Sequence, residues 1–462
     1  MKFFIVCPRG LEIPLAEELK EISERAEVKS MGAWVIDPPP ANSTGGLAVA
    51  GPMSVALAIN LHSRIASRCL LQMTHVAYRK EDDIYKAVRS LSWEDWFNPD
   101  QTMRVDLTAH RSPLTSLNFV TLRIKDAVCD RLREVKGARP SIDTELPDVR
   151  VQAHLTATHA TVYLDTSGQS LFKRGWRDDK GAAPLKENLA AGILALTGWK
   201  PEQPLFDPMC GSGTFLIEAA YRGLGIPSGS IRAGLLNAKP AEEITPVVQE
   251  KSESGKFTRY RPTRVDLVGA DQGFGFQRLK PFNTSELQKQ WNDLCGVAKK
   301  DIETGLANAN KLKMAACDIN ENMITIVKSN WKRAGLPAQS GVLSNVRQID
   351  ALEAKSPFAD PGVMLFNPPY GERLEIKGVT KSRGARDALP KNNNSPEFME
   401  FLNQFGKHLK DDFQGWQVDV LTADMGLPGQ LRMKESKRTP LFNGPLECRL
   451  FRFEMKTPTS ND

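Results

Sequence analysis

The chain has 462 residues, a formal net charge of +6 and 41% hydrophobic residues. This length predicts about two or three domains that bury their own cores. No apolar run reaches the roughly 18 residues of a membrane span, and the N-terminus lacks the cleavage site of a signal peptide. The composition therefore excludes a membrane protein and predicts a cytoplasmic one. The mild positive charge permits a polyanionic partner without demonstrating it.

The seven cysteines are scattered along the chain, and none belongs to a Cys-x-x-Cys pair. This spacing predicts neither a zinc site nor a disulfide framework. We therefore expect reduced cysteines and no bound metal.

The first part of the chain predicts a small α/β element. Residues 2–8 are typical of a strand and residues 10–22 of an amphipathic helix. Residues 53–73 predict a second helix, which would place Arg64 and Arg68 one turn apart on one face. Arginines in that arrangement are more often solvated than bound to a ligand.

A long helix is predicted at residues 112–140, between a strand and a hairpin. Its apolar stripe consists of Val120, Ile124, Val128 and Leu132. Its cations, among them Arg123, Lys125 and Arg131, lie away from that stripe. Two interpretations of these cations stand, an RNA-binding face or an ordinary solvated helix, and composition alone favours the second.

The segment DPMCGSGTF follows a short apolar strand and begins at Asp207. Gly211 and Gly213 allow a ligand to approach the backbone, and Thr214 opens an apolar helix. Leu216 stands where a dinucleotide fingerprint has its third glycine. An acid ahead of such a loop resembles motif I of the class I S-adenosylmethionine-dependent methyltransferases, which implies that cofactor.

The run LFNPPYGERL predicts a rigid loop at the carboxyl end of a strand, where ligands of parallel sheets bind. Asn367 Oδ1 and the Pro368 carbonyl are candidate acceptors for the hydrogens of an exocyclic amino group, and Asn367 is also a candidate cofactor contact. Pro369 stiffens the loop, and Tyr370 would stack on a base taken out of its helix. The alternative is a proline-rich turn with a core-facing tyrosine.

Two acids compete for the role of ribose ligand, and both follow predicted strands: Asp271 and Asp318. We favour Asp318, with Ile319 beside it, because a full strand, acid and helix pattern resembling these methyltransferases surrounds it. Asp350, followed by Ala351, ends another predicted strand. The resemblance implies that its carboxylate accepts from the adenine amino group, and the alternative is a helix N-cap.

Five further segments follow, in order, the pattern of a THUMP domain joined to a ferredoxin-like element. They are SRIASRCLLQM, NFVTLRIKDAVCDRLRE, RPSIDTELPDVRVQAHL, YLDTSG and SLFKRGWR. The resemblance implies binding of structured RNA through shape and phosphates, which favours the basic face of the long helix. Lys173, Arg174 and Arg177 are either contacts to RNA phosphate or part of a surface hinge.

The predicted fold class is α/β, with a ferredoxin-like plus THUMP module before a Rossmann-like, seven-stranded class I methyltransferase domain. The predicted domains are a ferredoxin-like element (1–60), a THUMP domain (61–170), a linker helix resembling motif X (171–200) and the methyltransferase domain (201–457). A solvated insertion, part loop and part helix, is predicted at about 225–315. The basic loop 375–395 either orders on RNA or is an idle surface segment.

Together these motifs resemble the THUMP-containing guanine-N2 RNA methyltransferases, and within them the branch acting on bacterial 23S ribosomal RNA. The resemblance implies methyl transfer from S-adenosylmethionine to the N2 amino group of a guanine in that RNA. In some bacteria such enzymes carry a second methyltransferase domain, and the resemblance covers only the first. Three alternatives remain: a transfer-RNA guanine-N2 enzyme, an RNA adenine-N6 enzyme, and an RNA-binding assembly factor with a decayed methyltransferase fold.

A direct in-line transfer is predicted, without a metal or a covalent intermediate. No general base is visible, so we expect proton loss to water after transfer, through Asn367 and the Pro368 carbonyl. Cys210 would suit thiolate attack on cytosine, but it lies inside the cofactor loop, and the acceptor strand lacks a cysteine.

Overall fold

The computed structural model describes residues 1–40, 44–177, 185–236, 273–368 and 396–456. Internal packing divides the chain into two compact units. Unit 1 comprises Met1–Cys7, Leu15–Asp178 and Pro227–Lys300, and unit 2 comprises Pro8–Pro14, Asp179–Ile226 and Asp301–Asp462. Four features of the sequence analysis lie outside the described residues: Asp271, Pro369, Tyr370 and the loop 375–395. No helix in the described ranges is long and apolar enough to cross a membrane.

In the described part of unit 1, seven strands form one sheet in the order β2-β3-β1-β4-β7-β6-β5. The strands are β1 (Lys2–Val6), β2 (Val35–Ile36), β3 (Gly46–Ala50), β4 (Arg68–Ala77), β5 (Met103–Ala109), β6 (Val149–Leu155) and β7 (His159–Asp165). The helices are α1 (Glu12–Glu24), α2 (Ala26–Lys29), α3 (Ser54–His62), α4 (Glu81–Arg89) and α5 (Leu117–Lys136). Neighbouring strands are antiparallel except β5 and β6.

Helix α5 confirms the long helix predicted from the sequence. The Ser116 side chain accepts a hydrogen bond from the Phe119 amide at its start, and Gly137 ends it at a left-handed φ of 72°. This is the position where glycine avoids the strain that a Cβ would cause. The predicted apolar stripe is buried and packs toward the sheet: Val120, Ile124, Val128 and Leu132.

The helix predicted at residues 53–73 is wrong beyond His62. Helix α3 ends there, and the chain from Arg68 onward forms β4. The Glu18 carboxylate stabilises the turn between them, because it accepts a hydrogen bond of 2.8 Å from the Arg64 amide. Arg64 and Arg68 therefore do not share a helix face.

Seven strands also form the sheet of unit 2, within its described residues, in the order β10-β9-β8-β11-β12-β14-β13. They are β8 (Leu205–Asp207), β9 (Met314–Asp318), β10 (Val346–Gln348), β11 (Val363–Phe366), β12 (Gln417–Thr422), β13 (Lys437–Asn443) and β14 (Leu446–Glu454). The sheet is parallel apart from β14, which runs against both neighbours. The expected Rossmann-like sheet with an antiparallel last strand is confirmed.

Helices pack against this second sheet and build its core. They are α6 (Glu187–Thr197), α7 (Thr214–Gly223), α9 (Glu321–Arg333), α10 (Gly341–Ser344), α11 (Pro396–Asp412) and α12 (Leu427–Gln430). A further helix, α8 (Ser285–Ala307), precedes β9 in the chain. Aromatic rings join the sheet to α11 and to the residue that follows it: Phe366 meets Phe405 of the helix edge-on at 5.5 Å, and Phe206 stacks on Phe413 at 5.7 Å. Such pairs add to the burial of apolar area that holds the layers together.

A short N-terminal segment, Pro8–Pro14, belongs to unit 2. Leu11 is fully buried, and a Cβ added at Gly192 of α6 would lie 2.3 Å from Leu11 Cδ1. Gly10 has a φ of +92°, and a Cβ there would lie 2.4 Å from the Pro440 carbonyl oxygen of β13. The segment is therefore a closely fitted part of the second unit.

Both flanks of the predicted insertion are ordered parts of unit 1, so the expectation of a solvated segment is wrong for them. Ser228 Oγ donates a hydrogen bond of 2.6 Å to the Ser63 carbonyl. The buried Arg232 guanidinium donates to the carbonyls of Ser167 (2.7 Å), Gln169 (3.0 Å) and Gly273 (3.0 Å). Polar composition over residues 237–264 dominated the prediction and concealed these anchored ends.

Candidate active site

The predicted site residues converge at one edge of the second sheet. Strands β10, β9, β8 and β11 are adjacent and parallel, so their carboxyl ends meet at that edge. The residues at or just beyond these ends are, in sheet order, Asp350, Asp318, Asp207 and Asn367. The edge therefore brings acids and an amide together beside the glycine loop.

The glycine loop has the geometry that its sequence predicted. Gly211 and Gly213 have φ values of +51° and +79°, and Gly213 directly precedes α7. A Cβ at Gly213 would lie 2.9 Å from Val327 Cγ1 of α9, whereas a Cβ at Gly211 would meet nothing within 4 Å. The first glycine thus permits the turn, and the second also permits close packing of α9.

Helix α9 also holds the loop by a hydrogen bond. Asn330 Nδ2 donates to the Ser212 carbonyl at 3.1 Å, and Asn330 is buried. Sequence reasoning missed this contribution of Asn330 and Val327. A polar side chain on the apolar face of a helix was the available signal, but it does not reveal a partner so distant in the chain.

The Asp318 carboxylate is fixed by two backbone amides. Its Oδ2 accepts from Gly211 and its Oδ1 from Asn320, both at 2.9 Å. An ionised carboxylate offers about four acceptor positions, so hydrogen-bonding capacity remains for ribose hydroxyls. The adjacent Ile319 is 50% exposed, which makes an apolar side chain accessible beside that acid.

Asp207 is buried at the start of the loop. Its Oδ1 accepts a hydrogen bond of 3.1 Å from the Met209 amide. Burial raises the pKa of its carboxyl well above the ordinary value, and the nearby Asp318 raises it further. A cationic ligand would offset this cost of a buried charge, so the residues fit S-adenosylmethionine, whose sulfonium and ammonium groups are positive.

Asp350 lies in a turn after β10. Its Oδ1 accepts from the Leu352 amide at 3.0 Å and so closes a local turn. No helix begins in this described part of the chain, so the alternative of a helix N-cap is wrong. Ala351 is buried beside it. Since the bond to Leu352 uses one lone pair of one oxygen, the same carboxylate can still accept from an adenine amino group.

Asn367 has an unsatisfied acceptor. Its Oδ1 is buried and has no hydrogen-bond partner among the described residues. The following Pro368 is buried as well. A buried amide oxygen without a donor costs about 1–3 kcal/mol, so a ligand with a free N–H would be bound favourably there.

The cations predicted to form an RNA-binding face on α5 are paired with acids. Arg123 lies 2.6 Å from Asp82, and Lys125 lies 2.8 Å from Asp126. Arg131 pairs with Glu94 and lowers the pKa of that carboxyl. RNA phosphates would therefore have to compete with these acids.

The structure contradicts the predicted surface role of Arg174. Its side chain is 2% exposed, and the guanidinium donates to the carbonyls of Leu171, at 2.7 Å, and Arg64. This buried position serves the fold of unit 1 rather than an RNA phosphate at the surface. Lys173 Nζ donates to Gln169 Oε1 at 3.3 Å in an exposed position, and the Arg177 guanidinium lies 4.9 Å from the Trp176 ring centre.

Cys210 is buried in the loop. Burial and the carboxyls of Asp207 and Asp318 raise its pKa well above the ordinary value. This environment opposes the thiolate that attack on cytosine would need. The described ranges contain no group of three or more His, Cys, Asp or Glu side chains suited to a metal ion.

Comparisons with known proteins match both parts of the chain. The model described as "RMKL-like, methyltransferase domain" matches residues 174–382, and the THUMP domain model matches residues 78–165. "Putative RNA methyltransferase slr0064" of Synechocystis is 30% identical over 98% of this chain and 96% of its own length. "Ribosomal RNA large subunit methyltransferase K/L" of Colwellia psychrerythraea is 30% identical over 97% of this chain but 52% of its own length.

Two solved structures share the fold. A Listeria monocytogenes protein described as a predicted N6-adenine-specific DNA methylase has a TM-score of 0.71 at 23% identity, covering 98% of this chain and 96% of its own. SMU.472, described as a putative methyltransferase and solved with S-adenosylhomocysteine, has a TM-score of 0.70 at 22% identity, covering 99% of both chains.

Fold, site and comparisons together define a class I S-adenosylmethionine-dependent methyltransferase with a THUMP domain. The chain belongs to the RNA methyltransferase family of the Synechocystis relative, and its catalytic domain is of the RMKL-like kind. It spans about half the length of the relatives named K/L.

Proposed function

We propose that the protein transfers a methyl group from S-adenosylmethionine to the exocyclic N2 amino group of a specific guanine in 23S ribosomal RNA, in the cytoplasm. The Oδ1 of Asn367 carries this proposal, because it is a buried acceptor without a donor among the described residues, at the edge that bears the cofactor loop. The names of the K/L relatives support the ribosomal substrate.

The chemistry follows from the weakness of an aromatic amine as a nucleophile. S-adenosylmethionine supplies an already activated methyl group. Asn367 Oδ1 and the Pro368 carbonyl accept the two amino hydrogens and favour the pyramidal geometry in which the nitrogen lone pair is available. The same acceptors orient the amine and pass its proton toward water after transfer. Tyr370 would stack on the extruded base, and Pro369 would keep the loop rigid.

The cofactor contacts remain proposals of the same kind. Asp318 and Ile319 would bind the ribose and one face of the adenine, and Asp350 with Ala351 its amino edge. The glycine loop from Asp207 to Thr214 would take the methionine portion. No further cation is required, since the methyl donor carries its own positive charge.

Five of the six residues first predicted to bind RNA stay in the proposal: Arg123, Lys125, Arg131, Lys173 and Arg177. Arg123, Lys125 and Arg131 must leave an acid partner to reach a phosphate. We therefore propose that they contribute less to the affinity for RNA than unpaired cations would. We retain the proposed domains 1–60, 61–170, 171–200 and 201–457, with the ordered insertion flanks reassigned to the first unit.

Quantification of modified nucleosides in cells lacking the protein tests this function. Loss of N2-methylguanosine from large-subunit RNA alone, restored by the wild-type chain but not by Asn367→Ala, is the expected result. Loss of N2-methylguanosine from transfer RNA instead, or loss of N6-methyladenosine, would show that the proposed substrate is wrong. The assignment as an RNA methyltransferase would stand. No change in any RNA would overturn the enzymatic proposal and favour an RNA-binding factor.

A further inference from the structure

One face of the first sheet carries polar and planar side chains across four adjacent strands. Successive residues of a strand point to opposite faces, and the strand registers align these side chains on the same face. We call them the polar sheet face, and they are Gln72, His75, Arg104, Gln152, His154 and Tyr163. On β4 a register shift between Gln72 and Thr74 places both Gln72 and His75 on that face. The opposite face is apolar and buried under α4 and α5, as Val151, Ala153 and Val162 show.

Two rows of this face run straight across the strands. In the first, His75 and His154 flank Thr161 of the central strand β7. His75 Nδ1 lies 2.8 Å from Thr161 Oγ1, which orients that imidazole. In the second, Gln72 and Gln152 flank Tyr163 in the same way. Aligned rows of this kind place flat side chains and amides at regular intervals on an extended surface.

The planar groups are accessible to a ligand. His75 is exposed, and Gln72, Gln152, His154 and Tyr163 are half-buried. The imidazole of His159 stacks on that of His75, with ring centres 4.7 Å apart and planes inclined by 4°. Rings of this size and orientation are suited to stacking against nucleobases, and amide side chains can bond the polar edges of bases.

The charge on the face is compatible with a polyanion. Asp106 is neutralised by Arg104 at 2.6 Å and Arg150 at 3.6 Å. The other acid, Asp165, pairs with Arg68. Three arginines thus face two carboxylates, which leaves a small positive balance that attracts phosphates.

We infer that the polar sheet face is the surface on which unit 1 holds unpaired nucleotides of the RNA substrate. This inference rests on the proposed function, since it names the form of RNA recognised. A duplex would require a row of cations for its phosphates, whereas this face offers rings and amides that suit exposed bases. A protein partner would require a larger apolar area than these polar side chains provide.

Fluorescence anisotropy with the full-length protein tests the inference. The probes are a labelled single-stranded RNA of about 12 nucleotides, within the usual site size, and a duplex of the same length. His75→Ala/His159→Ala and Gln152→Glu should each weaken single-strand binding at least about fivefold, because stacking is lost or negative charge is added. Duplex binding should change less than about twofold. Gln288→Glu, the same charge change at an exposed position of α8, should change neither.

Ultraviolet crosslinking of the wild-type protein to the single strand gives a second readout that does not depend on folding of variants. Crosslinks at Tyr163 or the histidines of the face support the inference. Crosslinks confined to α5 or to unit 2, or equal loss of duplex and single-strand binding in the variants, overturn it. If the variants behave as expected while N2-methylguanosine is unchanged in deletion cells, the inference stands and the proposed reaction fails.

Discussion

The backbone amide of Gly211 donates a hydrogen bond of 2.9 Å to Asp318 Oδ2, so the glycine loop and the proposed ribose ligand form one connected element. Asp318→Ala should weaken S-adenosylmethionine binding about tenfold to a hundredfold, since charge-assisted hydrogen bonds contribute about 1.5–3 kcal/mol. Isothermal titration calorimetry measures this change. Glu321→Gln, at an exposed position of α9, is the control and should bind normally. Unchanged affinity of Asp318→Ala would refute the assignment.

The two loop glycines should differ in their tolerance of a side chain. Both have positive φ, which costs a non-glycine residue about 1 kcal/mol. Gly213→Ala also meets Val327 at 2.9 Å, and overpacking adds about 1–3 kcal/mol. Thermal unfolding should therefore show a larger loss for Gly213→Ala than for Gly211→Ala. Val327→Ala in the Gly213→Ala background should recover part of it; equal losses without recovery would argue against the steric explanation.

Asn367→Ala should separate catalysis from cofactor binding. Its Oδ1 is the buried acceptor proposed to hold the target amine, so single-turnover methyl transfer should fall about a hundredfold or more. Cofactor affinity should change far less. The exposed Asn322→Ala serves as the matched control. A loss confined to cofactor binding would reassign Asn367 to the cofactor alone.

Two ion pairs of unit 1 should contribute very differently to its stability. Asp165 is fully buried and pairs with Arg68, while the amides of Ser167 and Gly168 also donate to its carboxylate. Arg68→Ala removes the charged partner and should cost about 1.5–3 kcal/mol. Arg89 and Glu134 are 46% and 59% exposed, and Arg89→Ala should cost less than about 1 kcal/mol. Urea unfolding followed by tryptophan fluorescence distinguishes them, and similar midpoints would contradict the argument.

Unit 1 should lose stability in mild acid through His62. Burial, with the nearby Arg25 and Arg64, lowers the pKa of this imidazole to about 3 from an ordinary 6.5. Because the folded-state pKa is depressed, His62 does not reduce the free energy of unfolding above pH 6.5. Below that pH the unfolded chain binds a proton that the folded chain does not, so the free energy of unfolding falls until the pH reaches about 3. The loss should reach about 2 kcal/mol between pH 7 and pH 5.

Urea unfolding of unit 1 at these two pH values provides the measurement. His62→Gln should reduce the pH dependence, whereas His75→Gln, at an exposed position, should leave it as in the wild type. An identical slope in the wild type and His62→Gln would show that other groups control the acid response.

The cofactor loop could be predicted because its requirements lie in consecutive residues. Asp207, the two glycines and the apolar helix after them specify a strand, a turn and a helix without reference to the rest of the chain. The burial of Arg174 could not be predicted, since its partners are backbone carbonyls, one of them at Arg64. A guanidinium near a basic motif has the same sequence pattern whether it points outward or inward.

The sequence does not predict the break between α3 and β4 for a related reason. The apolar run after His62 suits a helix or a buried strand, and the Glu18 carboxylate that turns the chain comes from a distant helix. Long-range hydrogen bonds of this kind decide between a helix and a strand where the local sequence favours both equally.

The fit of Leu11 against Gly192, and of Gly10 against Pro440, bears on the order in which the protein can be completed during translation. Leu11 leaves the ribosome roughly 20–90 s before the strand that contains Pro440 at ordinary elongation rates. The catalytic half therefore finishes folding only when the strand that contains Pro440 meets a segment made much earlier. A fragment begun at the linker helix would lack Leu11, so a separately expressed catalytic half must be supplied with the first 14 residues to regain full packing.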